Sequence, residues 1–263
     1  METGLHGQGL GNFCSHGNVH AGCDAEPKVT PDVNNGPGSA TQAKFDSFAA
    51  KYEEIHAHNI KLTGEAPEYF AAYKASYIAR SLPSAPCRVL DYGCGIGTLS
   101  RHLKRRIARI QIDGFDPSEE SLAHVDPDLL AQGTFTSDPR SLALSYDLIV
   151  MANVLHHVTP AERQKLISEV CTRLAAGGKL VIFEHNPANP LTRWAVAHCA
   201  FDGDAILLWP GEVGQYVVRA GLQTQRDYIV FFPRWLSSFR RIEPLLRWCP
   251  LGAQYAATGT RAS

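Results

Sequence analysis

The stretch Val89-Leu90-Asp91-Tyr92-Gly93-Cys94-Gly95-Ile96-Gly97-Thr98-Leu99-Ser100 constrains the fold more than any other part of the chain. An apolar run closes on an acid, three glycines follow at alternate positions, and a helical pattern begins after them. A buried strand hands over to a helix in this way when a ligand must sit on the turn between them. Glycine takes φ > 0 and has no Cβ, so a nucleotide-like ligand can lie against bare backbone there. Asp91 puts a negative charge on the lip of the turn. The dinucleotide fingerprint is G-x-G-x-x-G, whose turn cradles a pyrophosphate. Here the spacing is G-x-G-x-G, with an acid two residues ahead. Asp91 serves an anion poorly and a cationic amino-acid group well, which disfavours a nicotinamide-dependent dehydrogenase. An ordinary glycine-rich βα turn gives the same letters, so the rest of the chain carries part of the case.

From Cys87 onward, apolar runs and helical periods alternate. Strands are expected at 87–92, 109–115, 133–137, 146–152 and 178–185, and helices at 97–107, 118–124, 161–175 and 211–220. Such alternation builds βαβ units and a parallel sheet covered on both faces. Two further strands, 222–232 and 253–260, break the alternation and are expected to pair antiparallel at the sheet edge. Ahead of this domain (87–263), residues 41–86 read as a helical cap. An amphipathic helix at 41–62 carries Phe45, Phe48, Tyr52, Ile55 and His56 at three- and four-residue steps. A second, at 65–82, carries Tyr69, Phe70, Tyr73 and Tyr77. Residues 1–40 are rich in Gly, Asn, His and Pro, too poor in large apolar side chains to offset their ordering entropy, and read as a disordered tail. Cys14, His16, His20 and Cys23 fall within it, but their spacing is not that of established zinc loops, and no metal is expected.

Composition narrows the function classes. The 25 basic and 26 acidic residues leave a net charge of −1, without the basic footprint of a nucleic-acid-binding domain. No apolar run reaches the length of a membrane span, and the N-terminus does not read as a signal peptide. The seven cysteines are scattered and odd in number, which suits a reducing, cytoplasmic setting.

The remaining strand ends supply candidate site residues. Asp116 lies 25 residues after Asp91, at the end of the second strand. An acid there can accept hydrogen bonds from both ribose hydroxyls of an adenosine. Asp138, after the third strand, could reach an adenine amine or be merely a loop aspartate next to Pro139. Beyond the fourth strand stand Asn153, His156 and His157; His157 titrates in the right range for a general base, or else fixes the loop. Beyond the fifth stand Glu184, His185 and Asn186.

Taken together, residues from about 87 to 232 resemble class I S-adenosylmethionine (SAM)-dependent methyltransferases, and are similar to the ubiquinone/menaquinone-biosynthesis type. The matching residues are the glycine motif at 91–97, Asp116, Tyr146–Asn153 with His156 and His157, and the Gly177-Gly178 turn. The resemblance implies an α/β, Rossmann-like, doubly wound sheet of seven strands, mostly parallel, with an antiparallel C-terminal edge strand and the N-terminal helical cap. It implies that SAM is the cofactor. Asp91, Gly93, Gly95 and Gly97 would hold its methionine end, Asp116 the ribose and Asp138 the adenine, with backbone near Asn153 lining it. Two segments depart from the generic pattern. One is the polar, proline-rich excursion 184–194 at the rim. The other is 231–248, in which Trp235, Phe239, Ile242 and Leu246 would share one face of an α-helix with arginines nearby. A basic amphipathic helix at 234–248 can touch a membrane surface; the preferred expectation is that it packs on the domain or roofs the pocket.

The function expected is methyl transfer to a small-molecule acceptor: a natural product, quinone or lipid-like metabolite. Tyr52, His56, Tyr73, Asn186 and Trp194 are expected to enclose the acceptor, and His157, Glu184 and His185 are the candidate bases. The alternatives are a protein or tRNA methyltransferase and a catalytically silent SAM-fold binding protein.

Overall fold

The computed structural model of the chain describes residues 65, 67–81, 87–199, 203 and 205–263. The tail expected at 1–40, with its Cys/His cluster, and the helix expected at 41–62, with Tyr52 and His56, lie outside those residues.

Helix α1 (Pro67–Ser81) opens on a proline and a first-turn acid, Glu68. Both suit a helix N-terminus, where the missing N–H costs nothing and an anion meets the positive end of the dipole. The glycine motif then forms as read: β1 (Cys87–Tyr92), the turn, and α2 (Thr98–Arg106). There follow β2 (Ile110–Phe115), the one-turn helices α3 (Glu119–Leu122) and α4 (Pro127–Leu130), and β3 (Phe135–Thr136). The chain continues through β4 (Tyr146–Ala152), α5 (Pro160–Thr172), β5 (Leu174–His185), α6 (Pro190–Ala197), α7 (Pro210–Arg219), β6 (Gln223–Ile229) and β7 (Gln254–Thr260).

The strands make one seven-stranded sheet in the order β3-β2-β1-β4-β5-β7-β6. The first five are mutually parallel, and β7 runs antiparallel to both β5 and β6. Period-two alternation sends Leu90, Ile149, Met151, Leu180 and Ile182 to one face, under α5 and α7 through Ile167, Val170, Val213 and Val217. It sends Val89, Leu148, Val150, Val181 and Phe183 to the other face, under α1 and α2 through Ala75, Ile78, Leu99 and Leu103. Each of these side chains is 7% exposed or less, and each of those larger than alanine contributes roughly 1.5–3 kcal/mol of transfer free energy. Helix α1 belongs to this core. Its Tyr77 ring meets Phe183 edge-on at 5.6 Å, and its hydroxyl donates to Asp227 Oδ2 of β6 at 2.8 Å.

Three expectations change, and one segment gains an element. The antiparallel C-terminal strand is present, but it is not the edge. β7 fills the slot between β5 and β6, pairing on both sides, and β6 takes the edge. The 12-residue β5 starts at Leu174, ahead of the Gly177-Gly178 turn expected to precede it. The glycines are absorbed as an irregularity where the pairing with β4 shifts between Tyr146 and Leu148. Gly177 has φ +70, and a Cβ on Gly178 would sit 2.9 Å from the Ala175 carbonyl oxygen, so the strand passes only with glycine there. The excursion after Glu184 contains α6, because the Asn189 side chain accepts from Thr192 N and Pro190 occupies the first turn. Finally, 234–246 forms 3-10 turns with a kink at Leu236 and Pro244 inside, not the α-helix expected.

Candidate active site

Strand order reverses between β1 and β4. The chain runs outward to β2 and β3 on one side and to β5 on the other, which opens a crevice at the carboxyl ends of β1 and β4. The glycine turn forms one wall. Gly93, Gly95 and Gly97 have φ of +78, +52 and +76, so the alternate glycines meet a backbone demand. The N–H groups of Gly93 and Cys94 both donate to the Phe115 carbonyl, at 2.7 and 3.0 Å, which ties the turn to β2. A Cβ on Gly93 would lie 2.5 Å from Val154 Cγ2, whereas a Cβ on Gly95 would meet nothing within 4 Å. Gly95 thus borders open space, and its backbone is accessible to a ligand.

The two acids flanking this turn differ in placement. Asp91 is not on the lip: it is 1% exposed, beneath the turn, and accepts from Ser100 Oγ at 2.7 Å near the start of α2. Burial pushes its pKa up to about 6 against the pull of that hydrogen bond. Asp116 stands at the end of β2. Its Oδ2 accepts from Gly95 N at 2.7 Å and its Oδ1 from Ser118 N at 3.0 Å, so it holds the turn and caps the next segment. Asp138 accepts from Arg140 N and pairs with its guanidinium at 2.9 Å; these contacts hold the carboxyl below the usual range.

The opposite wall is the turn after β4. Asn153 adopts φ +59, and its N–H donates to the Phe183 carbonyl at 2.8 Å. Its side-chain Oδ1 is buried with no hydrogen-bond partner, an uncommon and costly state that a ligand donor relieves. A 3-10 turn, Leu155–His157, follows, held by Glu184 from the end of β5. Glu184 Oε1 accepts from Leu155 N at 2.7 Å, and Oε2 is 2.6 Å from His156 Nδ1. Both side chains of that pair are 1% exposed. Burial alone would raise the carboxyl of Glu184; the adjacent His156 outweighs it, and the pKa ends below the ordinary value. The His157 and His185 rings lie 4.1 and 5.3 Å from the His156 ring. Among the described residues, no group of three or more His, Cys, Asp or Glu is arranged to hold a metal ion.

Three residues matter here to which the sequence reading assigned no role. His156, not His157, is the histidine locked to Glu184. Arg163 of α5 is 1% exposed and donates to the carbonyls of Leu155, Val158 and Ile206, with Glu212 at 3.2 Å. It anchors the histidine turn from below. Lys74 of α1 is 5% exposed, 5.8 Å above the Phe183 ring. Burial draws its pKa down to about 8, while the carboxylates of Glu184 and Asp91 act in the opposite sense. A buried lysine facing two strand-end acids could be suspected from sequence only if α1 were known to cross the sheet toward that rim.

The expected acceptor-binding residues are dispersed. The Tyr73 hydroxyl lies beside Glu243 and the Val230 backbone, and burial, with the Glu243 carboxylate next to it, pushes its pKa up. Asn186 is fully buried; its Nδ2 donates to the carbonyls of Pro250 and Gly252, and its Oδ1 accepts from Ala188 N. Trp194, on α6, stacks on His198 with ring centroids 4.4 Å apart.

This arrangement fits SAM. The ends of β1, β2 and β4 bring together a glycine whose Cα borders open space, an acid that holds the glycine turn, and a buried amide oxygen without a hydrogen-bond partner. A family model for a methyltransferase domain matches residues 63–223. That is more than half of the sequence, and the chain belongs to this methyltransferase-domain family. Similar solved structures include a SAM-dependent methyltransferase from Archaeoglobus fulgidus (TM-score 0.56, 15% identity, covering 72% of this chain and 93% of that one). The magnesium protoporphyrin IX methyltransferase from Synechocystis with bound S-adenosylhomocysteine is similar too (TM-score 0.59, 17% identity, 86% and 99%). So is a SAM-dependent methyltransferase from Thermotoga maritima (TM-score 0.57, 19% identity, 84% and 99%). No curated protein gives a significant match to the sequence. The enzyme is a methyltransferase by family, and its fold is that of the class I SAM-dependent methyltransferases.

Proposed function

We propose that this enzyme transfers the methyl group of SAM to a small, lipid-like acceptor, such as a quinone or another natural product. The observation that carries the reading is the glycine turn after β1, with the open face of Gly95 and its amide held by Asp116 at the end of β2. In this reading Gly93, Gly95 and Gly97 hold the methionine end, with Asp91 supporting their turn from beneath through Ser100, Asp116 takes the ribose and Asp138 is the candidate for the adenine. Lys74 offers a cation to the methionine carboxylate in a dry setting, where such a contact is strong. When bound, SAM supplies an electrophilic sulfonium methyl, open to in-line displacement. The chain supplies orientation and exclusion of water. An oxygen or acidic carbon acceptor must also lose a proton. His157 and His185 are the candidates to take it, because both Glu184 oxygens already hold the Leu155–His157 turn. Glu184 then acts through His156, as a positioning group. Tyr52 and His56 of the expected cap, with Trp194 on α6, would enclose the acceptor, while Asn186 is buried with its amide engaged within the fold and acts on the site only by holding the chain after β5. The thiols of Cys87, Cys94, Cys171 and Cys249 support a reducing, cytoplasmic site of action.

Isothermal titration calorimetry with SAM and S-adenosylhomocysteine tests the donor assignment. Saturable binding of both is expected, weakened on the order of 30-fold by Lys74→Met, which strips a charge partner from the ligand. Absence of binding overturns the reading. Incubation with labelled SAM and a cell extract, followed by mass identification of labelled products, names the acceptor class. Label in protein or RNA alone contradicts a small-molecule acceptor.

A further inference from the structure

All four tryptophans of the chain are substantially solvent-exposed: Trp194 46%, Trp209 58%, Trp235 75% and Trp248 77%. A tryptophan carries a large apolar area, and leaving every one in water wastes the most hydrophobic side chains available. Their placement is not scattered. Trp194 in α6 and Trp209 just before α7 belong to the crossover that leaves β5 at its carboxyl end. Trp235 and Trp248 belong to the connection from the carboxyl end of β6 to the start of the antiparallel β7, at that same edge of the sheet. It is also the edge on which the crevice opens.

The β6–β7 connection shows how this exposure is built. In 3-10 turns, residues three apart line up on one face. Phe239, Ile242 and Leu245 stand at that spacing, 53%, 43% and 73% exposed, and Trp248 continues the interval just beyond. The polar row is the one turned inward. Glu243 is 2% exposed and accepts from the N–H groups of Phe231 and Phe232 at 3.0 and 3.1 Å. Arg240 pairs with Glu65 and lies 4.2 Å over the Tyr69 ring. The segment is inside out, which corrects the expectation that its apolar stripe packs on the domain. The α6 region is tied to it: Asn189 Nδ2 donates to the Leu251 carbonyl at 2.8 Å, and Thr192 Oγ1 to that of Ala253 at 2.9 Å.

Charge selects the occupant. Residues 186–199 and 230–253 contain five arginines, at 193, 234, 240, 241 and 247, and a single acid, Glu243. That acid is buried, while Arg193, Arg234 and Arg241 are exposed. This is a local concentration in a chain of net charge −1. A second copy of the chain would set arginines against arginines. An anionic bilayer matches both parts: tryptophan rings settle at the headgroup level, and arginines meet anionic lipid. No described helix is long and apolar enough to cross a membrane, so the contact is with one leaflet surface. We propose that the carboxyl-end edge of the sheet docks on an anionic lipid surface, with the crevice opening toward the bilayer. This inference does not rest on the identity of the methyl donor.

Cosedimentation of the full chain with phosphatidylcholine vesicles, with and without phosphatidylglycerol, tests it. Binding to the anionic vesicles is expected, with a blue shift of tryptophan emission. High salt, Leu245→Glu and the pair Arg193→Glu/Arg241→Glu are each expected to weaken it by at least about tenfold. These side chains are exposed, so thermal unfolding by circular dichroism should show the variants folded. No binding to anionic vesicles, or equal binding by folded Leu245→Glu, overturns the proposal. So does a dimer in light scattering that Leu245→Glu dissociates, when the wild-type chain ignores vesicles. SAM calorimetry on the same samples reports the crevice separately, so a failure of docking is distinguishable from a failure of the donor assignment.

Discussion

Asp91 and Glu184 are both carboxylates at strand ends, both 1% exposed, yet their acidities are displaced in opposite directions. The difference is the neighbour. Asp91 has a neutral hydroxyl against its Oδ2, which offsets little of the desolvation, so its pKa rises to about 6. A folded-state pKa above the unfolded one means that the protonated carboxyl is favoured by folding. That stabilisation is full below the unfolded pKa, about 3.8, and is lost as pH rises through about 6. Asp91→Asn keeps an acceptor for Ser100 and removes the titration. The variant is therefore expected to gain stability relative to wild type between pH 4 and pH 7, by up to roughly 3 kcal/mol. Urea unfolding of both proteins across that range checks it; a difference that stays flat with pH contradicts the assignment. The sequence identified Asp91 from its spacing to the glycines. It could not say whether the carboxyl points up at a ligand or down into the protein, because both directions are open to one residue at a strand end.

The histidine turn owes its shape to a partner 28 residues away. Leu155–His157 is three residues of 3-10 structure with no side-chain cap of its own. Glu184 supplies two acceptors from β5, and Arg163 supplies donors from α5. Glu184→Gln leaves His156 without its anion in a dry site and is expected to destabilise the protein by about 3–5 kcal/mol. Its effect should fade in acid. A depressed carboxylate pKa gives stability that is present above the unfolded pKa and lost as pH falls through the folded value. Denaturant unfolding at neutral and acid pH measures both statements. A cost below about 1 kcal/mol at neutral pH would place this pair among weak surface contacts instead. At this scale the sequence was informative about strands and long helices, whose period-two and 3.6-residue patterns are local. It was misleading about 231–248. An α-helical period puts Trp235, Phe239, Ile242 and Leu246 together, but Pro233 and Pro244 lack amide N–H groups and the segment takes the tighter 3-10 path. The period of three then selects a different row, and that row faces water.

For the molecule as a whole, the division of labour follows from the sheet. The family match begins at residue 63, and the low apolar content of residues 1–40 predicts that they can be removed. A chain starting at residue 41 is expected to keep its SAM affinity within about twofold, as a segment that contributes little to the core should allow. Calorimetry on the shortened chain measures this, and loss of binding would assign the tail a place in the site. Reading the alternation of elements was enough to establish a parallel, doubly wound sheet with a glycine turn at its switch point. Those features follow from local backbone preference and from the burial pattern of contiguous residues, both written in the chain order. Placement across the chain was decided only by tertiary structure. The sheet has to pair every inner strand on both sides, so β7 went between β5 and β6. Buried charges have to find partners, so Glu184 went to His156, and Lys74 of α1 came within electrostatic reach of Glu184 and Asp91. A single acid had to satisfy two amides, so Glu243 turned inward and left the aromatic row outside. These outcomes depend on which distant groups compete for the same hydrogen bonds and the same dry volume, and no window of the sequence contains that competition.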